Sequence, residues 1–298
     1  MFETLIVRPI FNVLVLVLSY IPGHNLGLAI IIFTILVRIL LWPLVKKQLH
    51  HTKAMRELAP DLKRIKKEAK GDRQLESKLT MELYKEREIN PFSTIGIVLL
   101  QLPILIGLYI GLRRVIDDPQ NLIKFAYEPV KQTAYLKDLA NNINAFDATF
   151  FGVVDLTKAA LTKGVYYIPA LIIAIGSAAI QYFQSKQLTP TPADAKSVKQ
   201  ILKESSSGKQ ADQAEMNAAV SRITILLIPG MILLISLGLP SALPLYWLTS
   251  GLVAYLQQSR VLGQDATELV TATDAGDKVT ITQPKKKPTA KSKKKKKR

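Results

Sequence analysis

Residues 26–45 read LGLAIIIFTILVRILLWPLV, a run of twenty residues that carries a single charge, Arg38. As a helix this run covers roughly 30 Å, the thickness of a bilayer's hydrocarbon layer. An ionised side chain inside such a span costs roughly 2.5–3.5 kcal/mol on insertion scales, and arginine cannot escape by losing its proton. Arg38 must therefore face water, a partner or a polar cavity. Snorkelling is one reading, because Lys46 and Lys47 lie about two turns away and mark a polar end. A functional polar cavity is the preferred one, since charges at this depth usually mark a working site.

The rest of the chain obeys the same logic. Its 48% of apolar residues fall into runs separated by strongly polar stretches. In lipid a helix satisfies its own backbone, so the pattern predicts an all-α polytopic membrane protein. The sequence contains no cysteine. Disulfides, thiolate metal sites and a lipid-modified cysteine are thereby excluded.

Residues 1–23 hold a short apolar run, Pro9–Ile21, closed by Pro22-Gly23. Thirteen residues are few for a span, so this segment is expected to lie in the outer interface, with a sixth span as the rival reading. Residues 24–45 form the first span, with a kink expected near Pro43. Residues 46–90 carry 13 Lys/Arg against 8 Asp/Glu. Apolar residues at helical spacing flank Lys70-Gly71-Asp72, which predicts a helical hairpin with its turn there.

The second span is 91–112, with Gln101 and Pro103 inside it. A polar region, 113–164, follows; it shows amphipathic pieces such as Ile143–Leu156 but no clear fold of its own. The third span is 165–183, rich in small residues that favour close helix packing. Residues 184–222 are polar, with linker-like TPTP and SSSG segments around a possible short helix near Ala195–Glu204. Spans four and five, 223–239 and 242–257, are separated by Pro240-Ser241 alone and are expected to form a tight antiparallel pair. Residues 258–298 end in KKKPTAKSKKKKKR, a lysine-dense tail expected to be disordered.

With five spans, the 46–90 loop, the 184–222 loop and the tail share one face and hold most of the net charge of +17. The positive-inside rule places them in the cytoplasm and the N-terminus outside. Arg113 and Arg114 run against that trend.

No phosphate-binding Gly-rich motif and no Gly-x-Ser-x-Gly are present. His50 and His51 are adjacent, a spacing that does not aim two imidazoles at one metal. The chain is read as a non-enzyme without a cofactor. Its tail could be a solvated end, could bind anionic lipid, or could hold RNA by counterion release; the last is preferred.

Four segments in order, FTILVRILLWPL, MRELAPDLKRIKK, LYKEREINPFSTIGIVLLQLPILIGLY and LPSALPLYWLTSGLVAYLQQ, resemble the YidC family of membrane protein insertases. The resemblance implies five transmembrane helices around a hydrophilic groove open to the cytoplasm, a cytoplasmic hairpin and an N-terminal interfacial helix. It places the groove arginine at Arg38, the groove threonine at Thr34, the second-span glutamine at Gln101 beside Pro103, and the fifth-span aromatics at Tyr246 and Trp247. It implies nascent membrane proteins as clients, moved into the bilayer without nucleotide hydrolysis in the bacterial plasma membrane. It also implies the ribosome as a partner, with a Sec translocon as a further candidate. The ribosome, RNA or anionic lipid would meet Lys285, Lys286, Lys287, Lys291, Lys293, Lys294, Lys295, Lys296, Lys297 and Arg298. Three departures, a 184–222 loop longer than usual, Pro244 early in span five and Gly251 in place of a frequent Asn, concern the span 4–5 end. The alternatives are a solute transporter or channel with an arginine anion site, and a membrane tether for ribosomes.

Overall fold

The computed structural model describes residues 1–87, 93–188, 200 and 213–274. The linker-like segments of 189–212, apart from Gln200, and the lysine tail lie outside the described residues. Met1–Leu262 form one compact unit and Gly263–Arg298 a second.

The N-terminal residues are helical from Glu3, first as a π-turn over Glu3–Val7 and then as α1 (Arg8–Tyr20). The strained pair Gly23 and His24, both at positive φ, turns the chain into α2 (Leu26–Leu40). Asn25 caps that helix: its side-chain oxygen accepts from Leu28 N at 3.0 Å, and its Nδ2 donates to Asp147 Oδ2 at 3.1 Å. α2 stops at Leu41, and α3 (Trp42–Glu57) leaves at 56° to it. Pro43 is the cause, because a proline supplies no N–H to the carbonyl four residues back and its ring clashes with that turn. The segment expected as the first span is thus a bent helix pair.

α4 (Ala59–Ala69) and α5 (Arg73–Glu86) pack side by side as a hairpin. Lys70 adopts the left-handed conformation at the end of α4. Asp72 then caps α5, accepting from Gln74 N and Leu75 N. α6 (Ser93–Asp117) runs five residues beyond the expected end of the second span. Arg113 pairs with Asp117 one turn on, and Arg114 pairs with Glu3 at 2.9 Å. The two arginines that oppose the charge bias are therefore matched locally.

Residues 113–164, in which the sequence shows no clear fold, are folded. α7 (Asn121–Lys124), α8 (Glu128–Lys131) and α9 (Ala134–Asn141) bury Leu122, Val130, Leu136 and Leu139. Ile143–Leu156 is not an amphipathic helix. It is a short 3-10 turn followed by an antiparallel hairpin of β1 (Thr149–Phe150) and β2 (Val154–Asp155). A second hairpin pairs β3 (Leu161–Thr162) with β4 (Val165–Tyr166). The third span consequently begins later than expected, as α10 (Ile168–Leu188).

α11 (Gln213–Gly238) starts well before its apolar part, and α12 (Ala242–Asp274) continues well past its own. Among the described residues α11 runs along α10. The turn that links α11 to α12 is held from outside the two helices. Ser241 N donates to Lys158 O at 2.9 Å and Ala242 N to Leu156 O at 3.1 Å. Gly251 has a packing reason: a Cβ there would lie 2.8 Å from Ile180 Cγ2 of α10.

One large apolar cluster joins α1, α2, α6, α7 to α9 and the start of α12. A small second cluster, Val45, Leu49 and Val261, sits beyond the α2–α3 kink. The outward faces are apolar as well: Ile39, Leu40, Ile172, Ile175, Leu226, Leu234 and Leu256 are all exposed. Among the described residues Glu3–Tyr20 and Ile168–Leu188 are long and apolar enough to cross a membrane, and the bent α2–α3 pair is a third such element.

Candidate functional site

Arg38 lies in the last turn of α2. Its guanidinium does not stretch towards Lys46 and Lys47. Nε and Nη2 both donate to Ser250 Oγ of α12, at 2.9 and 2.6 Å. The backbone of the same residue is held as well, since Gln257 Nε2 donates to Arg38 O at 3.2 Å. Ser250 and Gln257 are seven residues apart, two helical turns, so one face of α12 grips Arg38 at both ends. The kink explains the second contact: carbonyls in the last turn of α2 need outside donors.

α6 joins this arrangement through Gln101, whose Nε2 donates to the Tyr246 hydroxyl. Tyr246 is buried one turn before Ser250 on α12. Three helices thus contribute to a polar cluster, with Gln101 on Tyr246 and Arg38 on Ser250, inside an otherwise apolar bundle. Pro103 lies in α6 two residues after Gln101 and frees a carbonyl in that stretch.

The expected residues do not all converge. Thr34 is on the Arg38 face of α2 but is 1% exposed, and its hydroxyl donates back to Ile30 O at 2.6 Å. That hydroxyl is spent on its own helix. Trp247 is half-buried and packs against the main apolar cluster. The lysine tail lies outside the described residues.

Ser250 and Gln257 were not singled out from the sequence. Their signal was present: Tyr246, Ser250 and Gln257 recur at four- and seven-residue steps, a polar stripe on one helix face.

The electrostatics are simple. Among the described residues no carboxylate pairs with Arg38; its partners are neutral oxygens. Among the described residues no negative charge compensates the guanidinium. Among the described residues no group of three or more His, Asp or Glu side chains could hold a metal ion.

The model of the family described as 60Kd inner membrane protein matches residues 17–266. A protein named membrane protein insertase YidC from Fusobacterium nucleatum subsp. nucleatum is 29% identical over 242 residues, covering 81% of this chain and 88% of that one. Proteins of the same name from Oleidesulfovibrio alaskensis and Francisella philomiragia are 28% and 27% identical. They are matched over 86% and 78% of this chain, which spans only 38% and 32% of their length.

Proposed function

The chain belongs to the 60Kd inner membrane protein family, the family of the YidC insertases, and on that premise we propose that it inserts nascent membrane proteins into the bilayer. It is a membrane-embedded helical protein, and its family is not one of enzymes. The observation that carries the proposal is Arg38, whose guanidinium is held by a neutral hydroxyl of α12 and has no carboxylate partner among the described residues.

In this reading five spans, the bent α2–α3, α6, α10, α11 and α12, enclose a hydrophilic groove open to the cytoplasm of a bacterial cell. The N-terminus is outside and α1 lies in the outer interface. Its polar contacts to 113–141 support that placement: Asn12 donates to Phe125 O and accepts from Tyr127 N. The hairpin and the tail are cytoplasmic, and the tail meets the ribosome through its lysines by counterion release.

A client segment enters with its short polar or acidic end first. The free charge of Arg38 attracts that end, which shortens the apolar path it must cross. A neutral hydroxyl orients the guanidinium without cancelling its charge. For acidic ends, a potential positive outside adds about 2.3 kcal/mol per charge per 100 mV. The apolar part then leaves along α6 and α12, whose Leu102, Ile106, Leu252 and Leu256 are turned outward. Its transfer into lipid supplies the drive, and nucleotide hydrolysis is not needed.

The test is insertion of a single-span client with an acidic end into proteoliposomes by Arg38→Ala and Arg38→Lys. We expect the Ala form to lose activity and the Lys form to retain part of it. Full activity of Arg38→Ala would remove this charge from the mechanism. Equal loss in both forms would assign the role to the bidentate geometry on Ser250 rather than to charge.

A further inference from the structure

The two β-hairpins present an arrangement that the groove does not use. In the first, Phe151 and Gly152 at the tip both have positive φ, 51° and 69°. Turns of this kind select Asn, Asp or Gly; a bulky residue there is an outlier. This tip nonetheless carries a phenylalanine that is 65% exposed, followed by Val153 at 73%. In the second hairpin Val165 and Tyr166 are 71% and 61% exposed. Four large apolar or aromatic side chains, one in a strained conformation, are thus held out from the fold.

Their height along the helices is fixed. Phe150 fills the space over Gly27, in the first turn of α2. Tyr167 joins both hairpins to the start of α10: its N donates to Ala160 O, and its hydroxyl accepts from Asp155 N at 2.9 Å. The hairpins form a ledge level with the first turns of α2 and α10. The ledge is continuous with the exposed apolar stripe Ile168, Ile172 and Ile175 of α10, which faces lipid in a membrane-embedded chain. Aromatic side chains at the ends of spans are characteristic of the membrane–water interface.

We propose that the two hairpins, through Phe151, Val153, Val165 and Tyr166, dip into the lipid interface at the N-terminal ends of α2 and α10 and anchor that end of the bundle to the bilayer. The occupant of this surface is lipid, and its headgroup charge is immaterial to an apolar contact. The proposal rests on membrane embedding alone and stands or falls separately from the role of Arg38.

The sequence has no cysteine, so a single introduced one can be labelled without side reaction. Val153→Cys and Val165→Cys in the full chain would carry an environment-sensitive fluorophore. Lys137→Cys on the exposed face of α9 would serve as the aqueous reference. The proteins would be reconstituted in vesicles of phosphatidylethanolamine and phosphatidylglycerol, with and without lipids bearing a shallow nitroxide quencher. The expected result is blue-shifted emission at 153 and 165, with quenching several-fold stronger than at 137. Emission like that of the 137 label, without quenching, would overturn the proposal. So would shielding seen in native membrane vesicles but not in pure lipid, which would assign the ledge to a protein partner. A repeat in the Arg38→Ala background should leave the readings unchanged.

Discussion

At the 113–166 end of the bundle, Leu136, Leu139 and Leu156 are sealed from solvent, and Asn12, Ser19, Asn25 and Ser241 are buried polar groups with partners. At the hairpin end the only fully buried apolar residues of Leu58–Glu86 with described burial are Leu58 and Ala69. The arms α4 and α5 meet along half-exposed leucines and an exposed ion pair, Arg87–Asp61 at 3.5 Å. Surface pairs of this sort contribute little. One end is fixed by sequence-distant contacts and the other by local helix chemistry. Local stability follows buried contact, so the hairpin end is the one free to open. In the proposed orientation this leaves the outer side closed and the client's side adaptable.

The contrast can be broken by four substitutions, each read as an unfolding free energy in mixed detergent micelles. The largest effect is expected from Leu156→Ala. That side chain is 0% exposed beneath the turn that holds Ser241 and Ala242, and its loss should cost about 2–5 kcal/mol. Asn12→Leu comes next. It strands the Tyr127 N–H, which donates to Asn12 at 2.5 Å, and should cost about 1–3 kcal/mol.

Tyr135 sharpens the comparison through pH. Burial, with Asp147 adding to it, pushes its hydroxyl up to about 12. An unfolded tyrosine ionises near pH 10. The folded state therefore holds this proton more tightly, and the resulting stability is complete below about pH 10 and lost as the pH rises to about 12. Tyr135→Phe should remove that alkaline loss at little cost near neutrality, because the hydroxyl is buried without a partner among the described residues. The smallest effect is expected at the other end. Leu83→Ala should cost under about 1 kcal/mol globally, and hydrogen exchange should show the change confined to α4 and α5. A loss as large as that of Leu156→Ala would erase the distinction between the ends.

Much of this chain was legible residue by residue. The turn at Lys70–Asp72 shows in its own chemistry, a flexible Gly71 and a capping Asp72. Pro43 announces a bend in the first span. The 113–166 fold was not legible, because Leu122, Val130, Leu136, Leu139 and Leu156 are spread over short elements without sustained periodicity. Each is buried only by partners far away in sequence. The pairing of α11 with α10 was hidden for the same reason.

The sequence by itself determined that apolar helices would form and that one of them carries a charge it cannot shed, since hydrophobicity, helix propensity and the basicity of arginine are properties of the chain. Only the tertiary structure decided where the charge points. Ser250 and Gln257 lie 212 and 219 positions from Arg38, and a hydrogen bond acts over about 3 Å. No reading along the chain fixes which distant hydroxyl will arrive within that distance.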